Sequence, residues 1–185
     1  VINFAHFYGT VKNSNEGSIN LGSINLVPSS FDDILIGEID TNLAVKWAKL
    51  ITAFGASDSK HTTQTKNMDY INGSLYLSGM MKGGFAPYGE EEARIASKST
   101  PLNGFVIKCD ASNGEWLGGV SADEQGIGGY FGVAKGKENN LYAYGYSWAT
   151  PNKGICLTTI DESSWEKTEK IALITVGIEI VFFPF

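Results

Sequence analysis

Apolar and polar residues alternate with a period of two along several stretches of this chain. In "DDILIGEID", Ile34 and Ile36 fall on one face of an extended backbone, whereas Leu35 and Ile39 fall on the other. Alternation of this kind, rich in β-branched residues, is typical of a β-strand. Because Leu-rich helical periodicity is nearly absent, the pattern predicts an all-β chain.

Three segments, 32–51, 103–120 and 153–174, share one layout. Each reads as an apolar strand that ends in Asp, a short polar turn, a Trp, and a second strand. The turns "DTN", "DASNG" and "DESS" suit this layout because Asp bonds its own downstream backbone and Asn or Gly tolerates positive φ. Each segment is therefore predicted to contain a β-hairpin. The aspartates are Asp40, Asp110 and Asp161, and the tryptophans are Trp47, Trp116 and Trp165.

A short motif is written twice upstream of two of these hairpins. "NGSLYLSG", residues 72–79, returns as "NNLYAYG", residues 139–145. Each copy belongs to a segment that reads as a strand, a tight polar turn that suits a hairpin, and a second strand. We therefore predict four antiparallel strands in about 66–121 and four more in about 130–174.

The first unit, about 1–55, is shorter than the other two. Its strand "FAHFYGTV", Phe4–Val11, matches "LYLSGMM", and the strand that should precede it is missing. The C-terminal stretch 177–185, "GIEIVFFPF", reads as a further strand. This strand could pair into the first unit or begin another unit, and we expect it to be paired because an exposed apolar strand promotes aggregation.

Composition narrows the functional classes for this chain of 185 residues. Its net charge of −6 argues against nucleic acid as a partner, because phosphate binding needs clustered Lys and Arg. Two cysteines, Cys109 and Cys156, can form one disulfide or none, and we expect buried thiols. Nothing in the sequence indicates a metal or a cofactor, and no apolar run is long enough for a transmembrane segment. The chain begins at Val1 without Met, which we interpret as a removed leader or as part of a longer chain.

The units resemble bacterial β-propeller repeats of the SBBP and quinoprotein-like kinds. The matching residues are Gly73, Leu75, Tyr76, Gly79, Val106, Lys108, Asp110, Trp116, Asn140, Leu141, Tyr142, Gly145, Asp40 and the stretch Val45–Gly55. The resemblance implies a β-propeller-like fold of about three four-stranded antiparallel blades, in an exported protein located in the periplasm or outside the cell. Propellers close with four to eight blades. The chain would therefore be a piece of a longer propeller, would be completed by a homo-oligomer, or would pack as an open sandwich.

Two long insertions, 12–31 and 82–103, interrupt the predicted units. Long loops in compact β domains often carry function. "SINLGSINL" in the first insertion predicts an edge hairpin. "EEEARIASK" in the second predicts one or two helical turns, with Glu90 and Glu91 beside Arg94.

Aromatic residues near loops and strand ends are the candidate ligand contacts. Phe85, Tyr88, Tyr146 and Trp148 would form a platform for a glycan or a protein ligand, or alternatively would pack between blades. The tryptophans of the three hairpins are predicted to pack between blades, because they recur at equivalent places.

Few residues of the sequence indicate catalysis, so enzymatic activity stays an open question and a non-catalytic role is favoured. The two histidines, His6 and His61, lie in unrelated contexts and indicate no triad or metal cluster. The carboxylate pairs Asp32–Asp33 and Asp123–Glu124 are interpreted as surface charge. The sequence thus predicts a non-catalytic binding or scaffold module. The alternatives are a glycan-active hydrolase or lyase with acidic residues near the central channel, and a purely structural domain of a larger surface protein.

Overall fold

The computed structural model describes residues 4–12, 17–29, 32–55, 64–96, 102–122, 127–148 and 153–174. These residues form β-strands joined by turns, and none of the described residues is helical. The all-β prediction is therefore confirmed. The strands are β1 (Phe4–Lys12), β2 (Ile19–Leu21), β3 (Ile24–Leu26), β4 (Asp32–Asp40), β5 (Val45–Phe54), β6 (Gln64–Ile71), β7 (Ser74–Met81), β8 (Gly84–Pro87), β9 (Ile95–Ala96), β10 (Asn103–Asp110), β11 (Trp116–Ser121), β12 (Ile127–Lys135), β13 (Asn140–Ser147), β14 (Gly154–Asp161) and β15 (Glu166–Ile174).

The strands pair into three larger antiparallel sheets and one hairpin. The first sheet has the order β1-β4-β5-β8-β9, the second β11-β10-β7-β6, and the third β12-β13-β14-β15. Strands β2 and β3 form the separate hairpin. The second and third sheets are the two four-stranded units that the repeated motif predicts, with β7 and β13 as its two copies.

The three sheets stack face to face, with the second sheet in the middle. Ile34 and Ile36 of the first sheet pack in one cluster with Phe105 and Ile107 of the second sheet. Because side chains alternate along β10, the neighbouring residue Val106 faces the opposite way and packs in another cluster. Its partners there include third-sheet residues such as Leu141, Ala143, Cys156 and Ile160.

The hairpin of β2 and β3 lies on the remaining face of the first sheet. Leu26 of the hairpin packs there in a cluster with Ala48 and Leu50. The tandem duplication therefore forms a hairpin as predicted, with Gly22 at φ 65° in its two-residue turn. The hairpin covers a face of the sheet rather than extending an edge.

The outward face of the third sheet carries large side chains that remain exposed. Tyr144, Tyr146 and Ile155 are 46%, 40% and 44% exposed. Tyr146 and Ile155 are paired across β13 and β14, so they lie side by side on this face. Among the described residues, no sheet or hairpin packs over them.

The aspartates at the end of β4, β10 and β14 organise three similar turns. The Asp110 carboxylate accepts hydrogen bonds from the backbone N–H and the hydroxyl of Ser112, and Asp161 accepts the same pair from Ser163. These bonds lower the pKa of both aspartates. Asp40 accepts from two backbone N–H groups of its own turn. The predicted turn chemistry is confirmed.

The three tryptophans do not occupy equivalent positions, so that prediction is wrong. Trp47 pairs with Glu38 inside β5, Trp116 is the first residue of β11, and Trp165 is in the turn before β15 at φ 60°. The predicted location between sheets is nevertheless confirmed. Trp47 and Trp116 pack against the cluster between the first two sheets, and Trp165 packs against the other cluster.

The interpretation of Asp32 and Asp33 as surface charge is also wrong. Both are buried, and Asp33 has no exposed surface. Its carboxylate accepts hydrogen bonds from the backbone N–H and hydroxyl of Ser29, each at 2.6 Å, and from the backbone N–H of Ala53 at 2.8 Å. A carboxylate at this position ties the segment before β4 to β5.

Both cysteines are buried thiols, as predicted, and they lie in different clusters. Cys109 packs between the first and second sheets, and Cys156 packs between the second and third. His61, Asp123–Glu124 and the predicted strand at 177–185 lie outside the described residues. Within the described ranges, no helix is long and apolar enough to cross a bilayer.

Candidate functional site

The second long insertion returns to the first sheet instead of standing clear as a loop. Its strand β8 pairs with β5, and β9 pairs with β8. Phe85 on β8 is consequently fully buried, with its ring 5.0 Å from that of Phe105 in an edge-to-face contact. Phe85 therefore cannot present its ring to a ligand. It packs between the first and second sheets, in agreement with the alternative that the sequence left open.

The chain between β8 and β9 makes a compact turn around Tyr88. Gly89 adopts φ 88°, and the backbone N–H of Arg94 donates to Phe85 O at 2.9 Å, which closes the loop. The predicted helical turns are absent from this part of the described chain. The predicted partnership of Glu90 with Arg94 is nevertheless present, because the Arg94 guanidinium donates to both carboxylate oxygens.

This turn forms one wall of a cleft of about 340 Å³ between the first and second sheets. The rest of the lining comes from the start of β11 and the turn before it, from β5, and from Leu26 of the hairpin. Tyr88 is 53% exposed, whereas Trp116 is partly buried and packs against the core. The lining residues with charged or aromatic side chains are Lys49, Tyr88, Glu90, Arg94, Glu115 and Trp116. We call this depression the Tyr88 cleft.

The charges that line the Tyr88 cleft cancel. Lys49 and Arg94 carry two positive charges, and Glu90 and Glu115 carry two negative charges. The ion pair between Glu90 and Arg94 holds both side chains across the loop, so these groups are positioned before a ligand arrives. The cleft thus offers two aromatic surfaces, hydrogen-bond donors and hydrogen-bond acceptors without a net charge.

Tyr146 and Trp148 form a separate aromatic pair on the third sheet. Their rings meet edge to face with centroids 6.0 Å apart, and they are 40% and 52% exposed. The Trp148 ring lies on Gly128, where an added Cβ would come within 1.3 Å of the indole nitrogen. Neither residue lines the Tyr88 cleft. The structure thus places the four predicted aromatic residues at three different locations.

A cluster around His6 was missed by the reasoning from sequence. His6 and Glu38 come from different strands and are opposite each other in the register of β1 and β4. The signal that could have found them is the alternation itself, because it places Glu38 on the inward face with Ile34 and Ile36. A carboxylate on that face is buried and must find partners.

No protein-family model matches the chain, and no curated protein or solved structure is significantly similar to it. The assignment of a site therefore depends on the geometry of this molecule. Across the described residues, no three His, Cys, Asp or Glu side chains converge as ligands for a metal.

Proposed function

We propose that this chain is a non-catalytic binding module of β-propeller type, and that the Tyr88 cleft binds a neutral saccharide. The proposal depends on one observation: a single cleft is lined by two aromatic residues, Tyr88 and Trp116, and by two positive and two negative side chains whose charges cancel. A saccharide ring has faces of C–H groups that pack on aromatic rings and a rim of hydroxyls that need donors and acceptors. An ionic ligand would meet one pair of like charges in the cleft.

The size of the cleft supports a small ligand or one end of a longer chain. Pockets that bind small molecules usually enclose about 300–1,000 Å³, and the Tyr88 cleft of about 340 Å³ is at the lower end of that range. The exposed pair Tyr146–Trp148 would give a second aromatic contact for a longer glycan or for a protein ligand. A location outside the cytoplasm, in the periplasm or beyond the cell, is part of the same proposal.

The propeller assignment is supported by two regularities of the described sheets. Successive sheets stack face to face, and the second and third sheets each run as an antiparallel series of four strands. Three sheets are fewer than a closed propeller needs. Closure would therefore require further sheets from a longer chain or from other copies. A mass measurement by light scattering tests the second route, because a strict monomer excludes it.

The binding proposal is tested with an array of neutral and acidic glycans, followed by titration calorimetry of the best neutral ligand. We expect Tyr88→Ala to weaken binding by about tenfold or more, because removal of an aromatic anchor commonly costs more than 1 kcal/mol. Tyr70→Ala is the matched control, since Tyr70 is equally exposed at 55% but lies outside the cleft. Its binding should equal that of the wild type.

Three outcomes would overturn the proposal. Absence of glycan binding would favour the purely structural alternative, and binding that survives Tyr88→Ala would remove the cleft from the mechanism. Release of reducing ends from the bound glycan would favour the hydrolase alternative, because the cleft contains two carboxylates, Glu90 and Glu115.

A further inference from the structure

The two interfaces between sheets can be compared position by position because the sheets share one register. In each of the first two sheets, the residue two positions before the aspartate of the turn is paired with a residue of the neighbouring strand. Glu38 is paired with His6 in this way, and Lys108 is paired with Tyr76. The residue after the aspartate is held alike in two turns. The backbone N–H of Ala111 donates to Gly73 O, and the backbone N–H of Glu162 donates to Asn139 O.

Four positions at the turn end of each interface correspond. Tyr70 and Lys135 complete the comparison, since they pair with Leu75 and Leu141 at matching places in β7 and β13. We call the interface between the first and second sheets the open interface, and that between the second and third sheets the closed interface. The open interface has His6, Glu38, Tyr70 and Ala111 where the closed interface has Tyr76, Lys108, Lys135 and Glu162.

A glutamate side chain fills the closed interface. Glu162 is 8% exposed, and its carboxylate accepts hydrogen bonds from the Tyr76 hydroxyl at 2.6 Å and from the ammonium groups of Lys108 and Lys135. Two cations and a hydroxyl thus surround one carboxylate. The arrangement satisfies the buried charge from both neighbouring sheets.

The open interface has only the methyl group of Ala111 at the corresponding place, and a cavity of about 280 Å³ lies there. Its walls are aromatic. The rings of Phe4 and Tyr70 have centroids 6.4 Å apart at 66°, and the His6 ring stacks on Tyr70 at 5.6 Å. Phe4 and Tyr70 are 38% and 55% exposed, so the cavity opens to solvent.

Glu38 supplies a negative charge to this cavity. Its side chain is 6% exposed, and it accepts hydrogen bonds from the ammonium of Lys46 and from the indole N–H of Trp47 at 3.2 Å. His6 Nε2 lies 3.4 Å from the carboxylate and 2.9 Å from Ala111 O. Because a carbonyl only accepts, this nitrogen carries a proton.

Lys46 shows how a cation occupies the cavity. Its ammonium contacts the Glu38 carboxylate and lies 5.9 Å from the centroid of the Phe4 ring. A carboxylate and an aromatic face are the two surfaces that bind organic cations in proteins. The Lys46 side chain is 52% exposed, so it is tethered at the mouth rather than enclosed.

We propose that the cavity of the open interface binds the cationic group of an organic ligand, an alkylammonium or a guanidinium, which takes the place of the Lys46 ammonium between Glu38 and the rings of Phe4 and Tyr70. The charge reversal relative to the closed interface supports this choice of ligand. In the closed interface, Lys108 and Lys135 attract the carboxylate of Glu162. The corresponding positions of the open interface are occupied by the carboxylate of Glu38 and by the uncharged side chain of Tyr70. The proposal is independent of saccharide binding in the Tyr88 cleft.

The test uses choline as a free cation and Nα-acetyl-lysine methylamide as a peptide side chain, with titration followed by NMR and by thermal shift. The neutral isostere of choline, 3,3-dimethylbutan-1-ol, is the ligand control. We expect saturable binding of at least one cation and none of the isostere. In Lys46→Ala the affinity should rise by about tenfold or more, because the variant lacks a tethered competitor whose effective concentration is in the millimolar range.

Two aromatic variants make the result decisive without altering the buried carboxylate. Tyr70→Ala should weaken cation binding at least about threefold, and Tyr70→Phe should preserve it, because the aromatic face supplies the attraction. Tyr88→Ala, which changes the other cleft, should have no effect. The proposal is overturned if neither cation binds to the wild type or to Lys46→Ala, if the isostere binds equally well, or if Tyr70→Ala binds like the wild type.

Discussion

The open and closed interfaces show how one register can support opposite arrangements of charge. In the closed interface, the carboxylate comes from the turn of the third sheet and its cations come from two sheets. In the open interface, the carboxylate belongs to Glu38 within the first sheet and its cation, Lys46, belongs to the same sheet. The first arrangement joins two sheets by an ion pair, whereas the second joins them by apolar packing and by hydrogen bonds from side chains to the backbone. These bonds run from His6 to Ala111 O, from Tyr8 to Lys66 O and from Ser121 to Ala96 O.

The difference teaches that the apolar clusters, rather than the ion pairs, are the common element of both interfaces. Ion pairs can be exchanged between positions because burial of a charge requires only a partner of opposite sign with good geometry. The free energy that each interface derives from charge should therefore differ. Two experiments on the closed interface, one on its charge and one on its packing, and two on the charges of the open interface test these differences.

The largest effect is expected from Glu162→Ala in the closed interface. This change leaves two lysines, which are 22% and 26% exposed, without their shared carboxylate. Removing one member of a buried ion pair costs about 3 kcal/mol of unfolding free energy at the lower end of the usual range, and urea denaturation at pH 7 measures it. Glu90→Ala is the control, because its ion pair with Arg94 is more exposed and should contribute less than about 1 kcal/mol. Equal losses in the two variants would refute the distinction.

Packing in the closed interface is tested by Gly118→Ala. A Cβ at this position would come within 2.0 Å of Trp165 Nε1, so the indole must move. Overpacking of this kind costs about 2 kcal/mol of unfolding free energy, and Trp fluorescence during denaturation measures both the stability and the displacement. At Gly9, by contrast, no atom lies within 4 Å of the added Cβ. Gly9→Ala should change stability by no more than about 0.5 kcal/mol, and a large loss there would contradict the packing argument.

The open interface can be converted toward the closed type. Ala111→Glu alone places a second carboxylate near Glu38 and should be destabilising. Combined with Glu38→Lys, the same substitution should form an ion pair between two sheets, so the double variant should be about 1 kcal/mol more stable than the sum of the single effects predicts. A double-mutant cycle from urea denaturation measures this coupling free energy, and strict additivity would show that the correspondence of positions has no energetic meaning.

The smallest effect concerns the pH dependence of Glu38. Burial opposes ionisation of this carboxyl, but hydrogen bonds from Lys46 and Trp47 and the positive charge of Lys46 act in the opposite direction, and the net effect lowers its pKa. Since the folded-state pKa is below the unfolded value of about 4.3, ionised Glu38 stabilises the fold above that pH, and the stabilisation is lost as the pH falls through the folded-state pKa. The wild type should therefore exceed Glu38→Gln by about 1 kcal/mol at pH 7, and the gap should narrow below pH 4. Denaturation curves between pH 3 and 7 measure the gap, and a constant gap would exclude Glu38 as the titrating group.

The sequence predicts the strands well because their signals are local. Alternation marks β4, and an aspartate with its neighbouring Ser or Asn marks each turn, so neither depends on distant residues. The burial of Phe85 depends instead on a distant part of the chain, because the strand of the second insertion that contains Phe85 pairs with β5. The sequence of the insertion does not show whether it forms a loop or a further strand. That outcome depends on β5, whose free edge pairs with β8.

Both candidate sites needed tertiary information. Tyr88 and Trp116 line one cleft, and His6 stacks on Tyr70, only because the first and second sheets pack together. His6 lies opposite Glu38 because β1 pairs with β4. A single tyrosine such as Tyr88, or a single histidine such as His6, does not indicate a binding site in the sequence, because exposed tyrosines and single histidines are common in β proteins. What the sequence could give was the inward face on which Glu38 lies.

The two buried cysteines give each interface its own chemical reporter. Cys109 lies in the cluster of the open interface, and burial raises its pKa to about 12; Cys156 lies in that of the closed interface. A thiol reagent reacts only with an accessible thiolate. The rate at which each cysteine is modified by the reagent therefore measures how often its interface opens, and no cysteine has to be introduced by mutation. If charge holds the closed interface together, then Cys156 should become more reactive in Glu162→Ala while Cys109 keeps its original rate.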